Sequence, residues 1–222
     1  MISSPIVPAI IPTSLSNLQT QIAAISSVPE LHLDVIDGKF VPYTSWPYTE
    51  GGEVQSGKPL LSAYTLEVDL MVLNPLEAAH SWLACGADRL VFHTETISLA
   101  AFTQFADTTN VTVGIATNND TDFKELEPYL AVADFVQVMG IAEIGAQGQP
   151  FDRRALPRLA LLHDRYQNLP RSLDGSINAS TLSELLRLKL DRYIMGSAVM
   201  AAVDPYATYL EFSKLARSSQ QG

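Results

Sequence analysis

Four side chains in this sequence carry the types and spacing that could do chemistry together: His32, Asp34, Asp69 and Asp174. His32 and Asp34 are two apart in Leu31-His-Leu-Asp-Val-Ile36, so the two-residue period of a strand sends both side chains to one face. Asp69 ends the apolar alternation of Leu66-Glu-Val-Asp-Leu-Met71, and Asp174 ends Arg171-Ser-Leu-Asp-Gly175. One imidazole and three carboxylates from three strands, brought to one sheet end, would make a site for a single divalent cation with open positions. Each has a plainer reading alone, since an aspartate after a strand often caps the next helix and a lone histidine is commonly structural. Their joint placement favours chemistry.

Positioning them requires a particular scaffold. Short aliphatic runs recur at Ile6–Ile11, Leu31–Ile36, Thr65–Val72, Arg89–His93, Val111–Ala116, Phe135–Met139, Arg171–Asp174 and Tyr193–Gly196. Segments of helical periodicity fit between them: Ser14–Ile25 opened by Thr13, Pro75–Cys85, Asp122–Leu130 behind Thr121, Asp152–Tyr166, Ser180–Leu188 and Pro205–Ala216. Strand–helix alternation repeated eight times in 222 residues predicts an α/β fold, a single-domain (β/α)8 TIM barrel over residues 1–222 near the lower size limit of that architecture. A doubly wound open sheet is the alternative. In a barrel the functional face lies at the carboxyl ends of the strands, where His32, Asp34, Asp69 and Asp174 fall.

The same face should receive several loops. Asp37–Lys58, rich in Gly, Pro, Tyr and Trp, is expected to form a lid or pocket wall. Gly175-Ser176 and Gly196-Ser197 follow the seventh and eighth strands, the place where barrels often hold a phosphate on backbone N–H groups. Gly145 and Gly148 lie in a loop after the sixth strand that could close over a substrate.

Composition removes other classes. The formal net charge of −10, from 14 Lys plus Arg against 24 Asp plus Glu, would repel a nucleic-acid backbone. The single Cys85 cannot form an internal disulfide, and no apolar run is long enough for a membrane span or leader. The expectation is a soluble cytoplasmic protein with no nucleic-acid or membrane partner; whether it forms a homo-oligomer stays open.

Taken together, the residues resemble the ribulose-phosphate 3-epimerase family. The matching segments include Leu31-His-Leu-Asp-Val-Ile-Asp-Gly-Lys-Phe-Val-Pro42, Val68-Asp-Leu-Met-Val-Leu-Asn-Pro75, Cys85-Gly-Ala-Asp88, Phe92-His-Thr-Glu95, Leu173-Asp-Gly175 and Gly196-Ser-Ala198. The resemblance implies a ribulose-phosphate-binding barrel that inverts carbon 3 of a ketose phosphate through an enediolate. It also implies Asp34 and Asp174 as acid and base on opposite faces of the sugar. One divalent ion (zinc, manganese, iron, cobalt or magnesium) would be held by His32, Asp34, Asp69 and Asp174. Met71 and Met139 would pack near the substrate, with Gly145, Gly148, Gly175, Ser176, Gly196 and Ser197 around it and its phosphate. A phosphorylated ketose is the implied partner.

The chain also departs from the family pattern. Asp69 stands where a histidine ligand is usual, which shifts the donor set toward oxygen-preferring ions. Ala9 replaces a serine, Ser176 a second glycine and Ile36 a methionine, and the loop before Gly148 is one residue longer. These changes keep two alternatives in view, a ketohexose 6-phosphate 3-epimerase and a non-catalytic phosphosugar-binding barrel. The Asp-x-Lys-x-x-Asp signature of orotidine-phosphate-type decarboxylases is absent at Asp34-Val-Ile-Asp37.

Overall fold

The computed structural model describes residues 4–49, 51–146 and 148–220. Eight parallel strands close into a barrel in sequence order: β1 Ile6–Ile10, β2 Glu30–Ile36, β3 Thr65–Met71, β4 Arg89–His93, β5 Thr112–Thr117, β6 Phe135–Met139, β7 Arg171–Asp174 and β8 Arg192–Met195. The TIM-barrel expectation is met and the open sheet is excluded, because β1 pairs with both β2 and β8.

Around the barrel lie α1 Leu15–Ala24, α2 Lys58–Leu61, α3 Pro75–Cys85, α4 Leu99–Thr108, α5 Phe123–Leu126, α6 Ala155–Arg165, α7 Leu182–Leu185, α8 Ser197–Met200 and α9 Pro205–Gln220. Some helix starts differ from the sequence reading. Ser14, not Thr13, caps α1 by accepting from the Asn17 N–H, and Asp122, not Thr121, caps α5. The expected helix Asp122–Leu130 tightens into a 3-10 turn over Glu127–Ala131, consistent with Pro128 removing one backbone donor. Helices α2, α4 and α8 were not anticipated.

Side-chain alternation divides the strands into two apolar surfaces. One face of each strand packs with the helices in a large outer core containing Leu31, Leu33, Val68, Leu90, Phe92 and Val138. The other turns inward, where Ile36, Met71, Val91, Ala116, Phe135 and Met139 cluster. Gly114 belongs to this inner set, and a Cβ there would overlap the Phe135 ring, so glycine makes room for a bulky plug.

A structural repeat underlies the register. Asp88, Asp134 and Asp191 each stand immediately before an even-numbered strand. Their carboxylates accept the backbone N–H of Leu66, Val113 and Arg171 on the preceding strand, at 2.8, 2.7 and 2.8 Å. Each aspartate pins the β3/β4, β5/β6 and β7/β8 pairs at their amino ends.

Candidate metal centre and active site

Strand register delivers the four predicted side chains to one place. Asp34 on β2 lies directly opposite Asp69 on β3, with His32 opposite Glu67 one step below. Asp174 comes from β7, across the mouth beyond β1 and β8. One potential ligand atom from each of His32, Asp34, Asp69 and Asp174 lies within 4.8 Å of all the others, and all four residues are buried.

The imidazole is oriented from below. His32 Nδ1 is 2.8 Å from Glu67 Oε1, while Nε2 is 3.1 Å from Asp34 Oδ1 and 4.0 Å from Asp69 Oδ2. Since a carboxylate can only accept, Glu67 fixes a proton on Nδ1 and turns Nε2 toward the cluster. Glu67 is itself anchored by Arg89 at 2.6 Å and Arg192 at 3.2 Å. Burial works to raise the Glu67 carboxyl, but the His32 hydrogen bond and the charges of Arg192, His32 and Arg89 overcome it and hold it far below the usual range. For His32, burial disfavours the charged ring, yet hydrogen bonds to Asp34 and Glu67 push its pKa well above the ordinary value.

Asp34 and Asp174 are pushed the other way. Burial raises both; the charge of Asp34 adds to the rise at Asp174, and that of Asp69 adds at Asp34 against the lowering effect of His32. Three buried carboxylates around one imidazole are short of positive charge at their centre. The donor set fits a divalent cation, which His32 Nε2 and one oxygen from each of the three carboxylates could hold. The preponderance of oxygen matches hard ions better than thiophilic ones.

A cleft opens above this cluster. Its walls include Asp34, Met71, Gly145, Gly148, Asp174, Gly175, Ser176, Gly196 and Ser197, so these predicted residues converge. Met139 does not line the cleft; it is fully buried in the inner cluster beneath, beside Met71. Ala9, named by the family resemblance, lines the cleft as well, and Ile11, Ile141 and Ile177 add an apolar wall that sequence reasoning did not assemble. Ser176 holds a left-handed backbone (φ 54°) beside Gly175 (φ 103°), and its hydroxyl donates to the Gln149 carbonyl, tying the loop after β7 to the loop after β6. A glycine at 176 would adopt that φ with less strain.

The Asp37–Lys58 loop, expected as a lid or pocket wall, serves as a wall, with Val41 and Tyr43 abutting the cleft residue Gly145. Phe40 packs on His93 at 5.5 Å, and Val41 joins the inner cluster. Trp46 is buried edge-on against Trp82 of α3 at 5.9 Å. The loop therefore plugs the β4 side of the mouth, while the end of β1 and the loops after β6, β7 and β8 line most of the cleft.

Glu67 and Gln137 are buried polar residues whose roles the sequence did not reveal, and His93, which ends β4 and is a candidate for the pocket lining by sequence, is fully buried and does not line the cleft. His93 Nε2 and Gln137 Nε2 each lie 2.7 Å from one oxygen of Asp69. Their signal was present as polar residues on the inward alternation of otherwise apolar strands.

Comparison with known proteins agrees with this architecture. A family model described as the ribulose-phosphate 3 epimerase family matches residues 5–200. The ribulose-phosphate 3-epimerase of Mycobacterium leprae is 29% identical over 210 residues, covering 91% of this chain and 90% of its own. The enzyme of the same name from Aquifex aeolicus is 28% identical over 179 residues, 78% of each. Among solved structures, 3-hexulose-6-phosphate synthase from Salmonella typhimurium superposes with a TM-score of 0.72 at 15% identity, over 96% of this chain and 99% of the other. Orotidine 5'-monophosphate decarboxylase from Sulfolobus solfataricus gives 0.63 at 11% identity, over 98% and 100%; these two likenesses concern the fold alone. The epimerase matches extend through the strands that carry His32, Asp34, Asp69 and Asp174, and the chain belongs to the ribulose-phosphate 3-epimerase family, a family of isomerases.

Proposed function

We propose that the chain interconverts ribulose 5-phosphate and xylulose 5-phosphate by two-aspartate proton transfer at carbon 3, acting in the cytoplasm as one barrel domain over residues 1–222. The observation that carries this reading is the placement of Asp34 and Asp174. Both are buried cleft residues, on strands separated by β1 and β8, within a cluster that also holds His32 and Asp69.

Inversion needs two groups, because the proton must return from the face opposite its removal. One aspartate takes the proton from carbon 3 beside the ketone, leaving an enediolate. The other donates to the far side of that carbon, so the substrate gains and loses one proton and the enzyme finishes with its two carboxyl states exchanged. A divalent cation bound by His32, Asp34, Asp69 and Asp174 would supply Lewis-acid stabilisation of the oxygen charge. Glu67 orients His32 from beneath, and Met71 with Ile141 excludes water. Backbone N–H groups at Gly175, Ser176, Gly196 and Ser197 would receive the phosphate, allowing an acidic protein to bind an anion.

The test is proton nuclear magnetic resonance of ribulose 5-phosphate in deuterated water with added Mn2+. Deuterium should enter carbon 3 as xylulose 5-phosphate accumulates. Asp34→Asn and Asp174→Asn should each reduce turnover by about 10²–10⁴-fold; turnover kept in either folded variant would overturn the acid–base assignment.

A further inference from the structure

The three carboxylates of the cluster are not held alike. Asp34 faces His32, and no side chain among the described residues donates a hydrogen bond to Asp174. Asp69 by contrast is gripped at both oxygens: Oδ1 by His93 Nε2 from β4 and Oδ2 by Gln137 Nε2 from β6, each at 2.7 Å. With a donor on each oxygen, the carboxylate plane cannot turn without breaking a buried hydrogen bond.

Neither partner has another evident task. Both are fully buried, and neither lines the cleft, so they do not reach a substrate there. Gln137 Oε1 and His93 Nδ1 are without hydrogen-bond partners among the described residues. An aliphatic side chain would fill the place of Gln137 without leaving an unpaired carbonyl. Apart from a 3.7 Å approach to the Met139 sulfur, its amide serves Asp69 alone. The tilted Phe40 ring packs on His93 and steadies the imidazole.

We infer that His93 and Gln137 are positioning residues that clamp Asp69 as the fixed anchor of the cation site, leaving Asp34 and Asp174 as the carboxylates free to move protons. The inference rests on the reading of Asp69 as a cation ligand. Outer partners of this kind typically contribute 10–100-fold to metal affinity. An amide and an imidazole each supply one N–H here, so the contribution should depend on the donor and not on bulk.

The experiment measures Mn2+ binding to the purified full chain by the electron paramagnetic resonance signal of free Mn2+, with metal-free thermal unfolding as the check on folding. Gln137→Met, which keeps volume and removes the donor, should weaken Mn2+ binding about 10–100-fold, as should His93→Leu. His93→Gln, whose amide can present a donor near the former Nε2, should restore most of the affinity, a rescue that a purely packing role would not produce. Asp69→Ala separates the two levels of the argument. If Asp69→Ala loses Mn2+ while folded Gln137→Met binds it as tightly as the parent, the clamp is refuted and the ligand reading stands. If Asp69→Ala also binds undiminished, the ligand reading itself is refuted, and the clamp with it. Should His93→Leu fail to fold, Gln137→Met decides the matter.

Discussion

Asp174 concentrates the conflict between folding and chemistry in one side chain. Burial first, then the charge of Asp34, raises its carboxyl well above the ordinary value. The folded chain therefore binds more protons there than the unfolded chain does. This contribution to stability is fully present below the unfolded carboxylate pKa of about 3.9 and is lost as pH rises through the folded value. Asp174→Asn removes the penalty, so the metal-free variant should unfold later than the parent at pH 8, by about 0.5–2 kcal/mol, and the gap should narrow toward pH 4. Chemical denaturation with a chelator present, repeated across that range, reads both trends. Position 69 offers a second test at the same site. Asp69→His replaces an oxygen donor by a nitrogen, and competition between Zn2+ and Mn2+ should shift toward Zn2+ by tenfold or more. An unchanged preference would remove Asp69 from the ligand set.

Secondary-structure elements show what was legible in the sequence and what was not. All eight strands could be read from aliphatic runs, because each must satisfy an inner and an outer apolar surface, and the barrel followed from their number. His32, Asp34, Asp69 and Asp174 were likewise visible as polar residues within or closing otherwise apolar strands. The clamp on Asp69 was not, since Gln137 meets it only through closure of the sheet and lies 68 positions away. Short helices such as α2 and α8 carry too few residues for periodicity to register. The aspartates that pin paired strands were also hidden, since each carboxylate meets a backbone N–H 20–22 positions earlier in the chain, on the neighbouring strand. Asp134→Ala should cost about 1 kcal/mol by freeing the Val113 N–H, whereas Asp134→Asn keeps an acceptor and should cost less. Urea unfolding of the two variants distinguishes register pinning from surface charge.

At the level of the whole barrel, the amino end is closed by charge and aromatic bulk together. Glu67 is almost fully buried and links His32 above to Arg89 and Arg192 below, while the Arg89 guanidinium lies 4.3 Å over the Phe135 ring. Removing the carboxylate leaves the largely buried Arg89 without its carboxylate partner and Arg192 with Glu30 alone, so Glu67→Gln should destabilise the chain by about 3–5 kcal/mol. The lowered Glu67 carboxyl contributes stability above its unfolded pKa that fades as pH falls. Hence the deficit of Glu67→Gln should shrink only below the unfolded glutamate pKa of about 4.3, a trend opposite in sign to that of Asp174 and measurable by extending the same titration below about pH 4.

The stopper formed by Phe135, Arg89, Arg192 and Glu67 turns the barrel into a cul-de-sac. Whatever ion sits among His32, Asp34, Asp69 and Asp174 can enter or leave only through the cleft that the phosphosugar would occupy, so the sugar should behave as a cork. Stripping of Mn2+ by a chelator should be slowed severalfold by saturating ribulose 5-phosphate, in proportion to occupancy. Identical stripping rates with and without the sugar would mean that the ion has a back door.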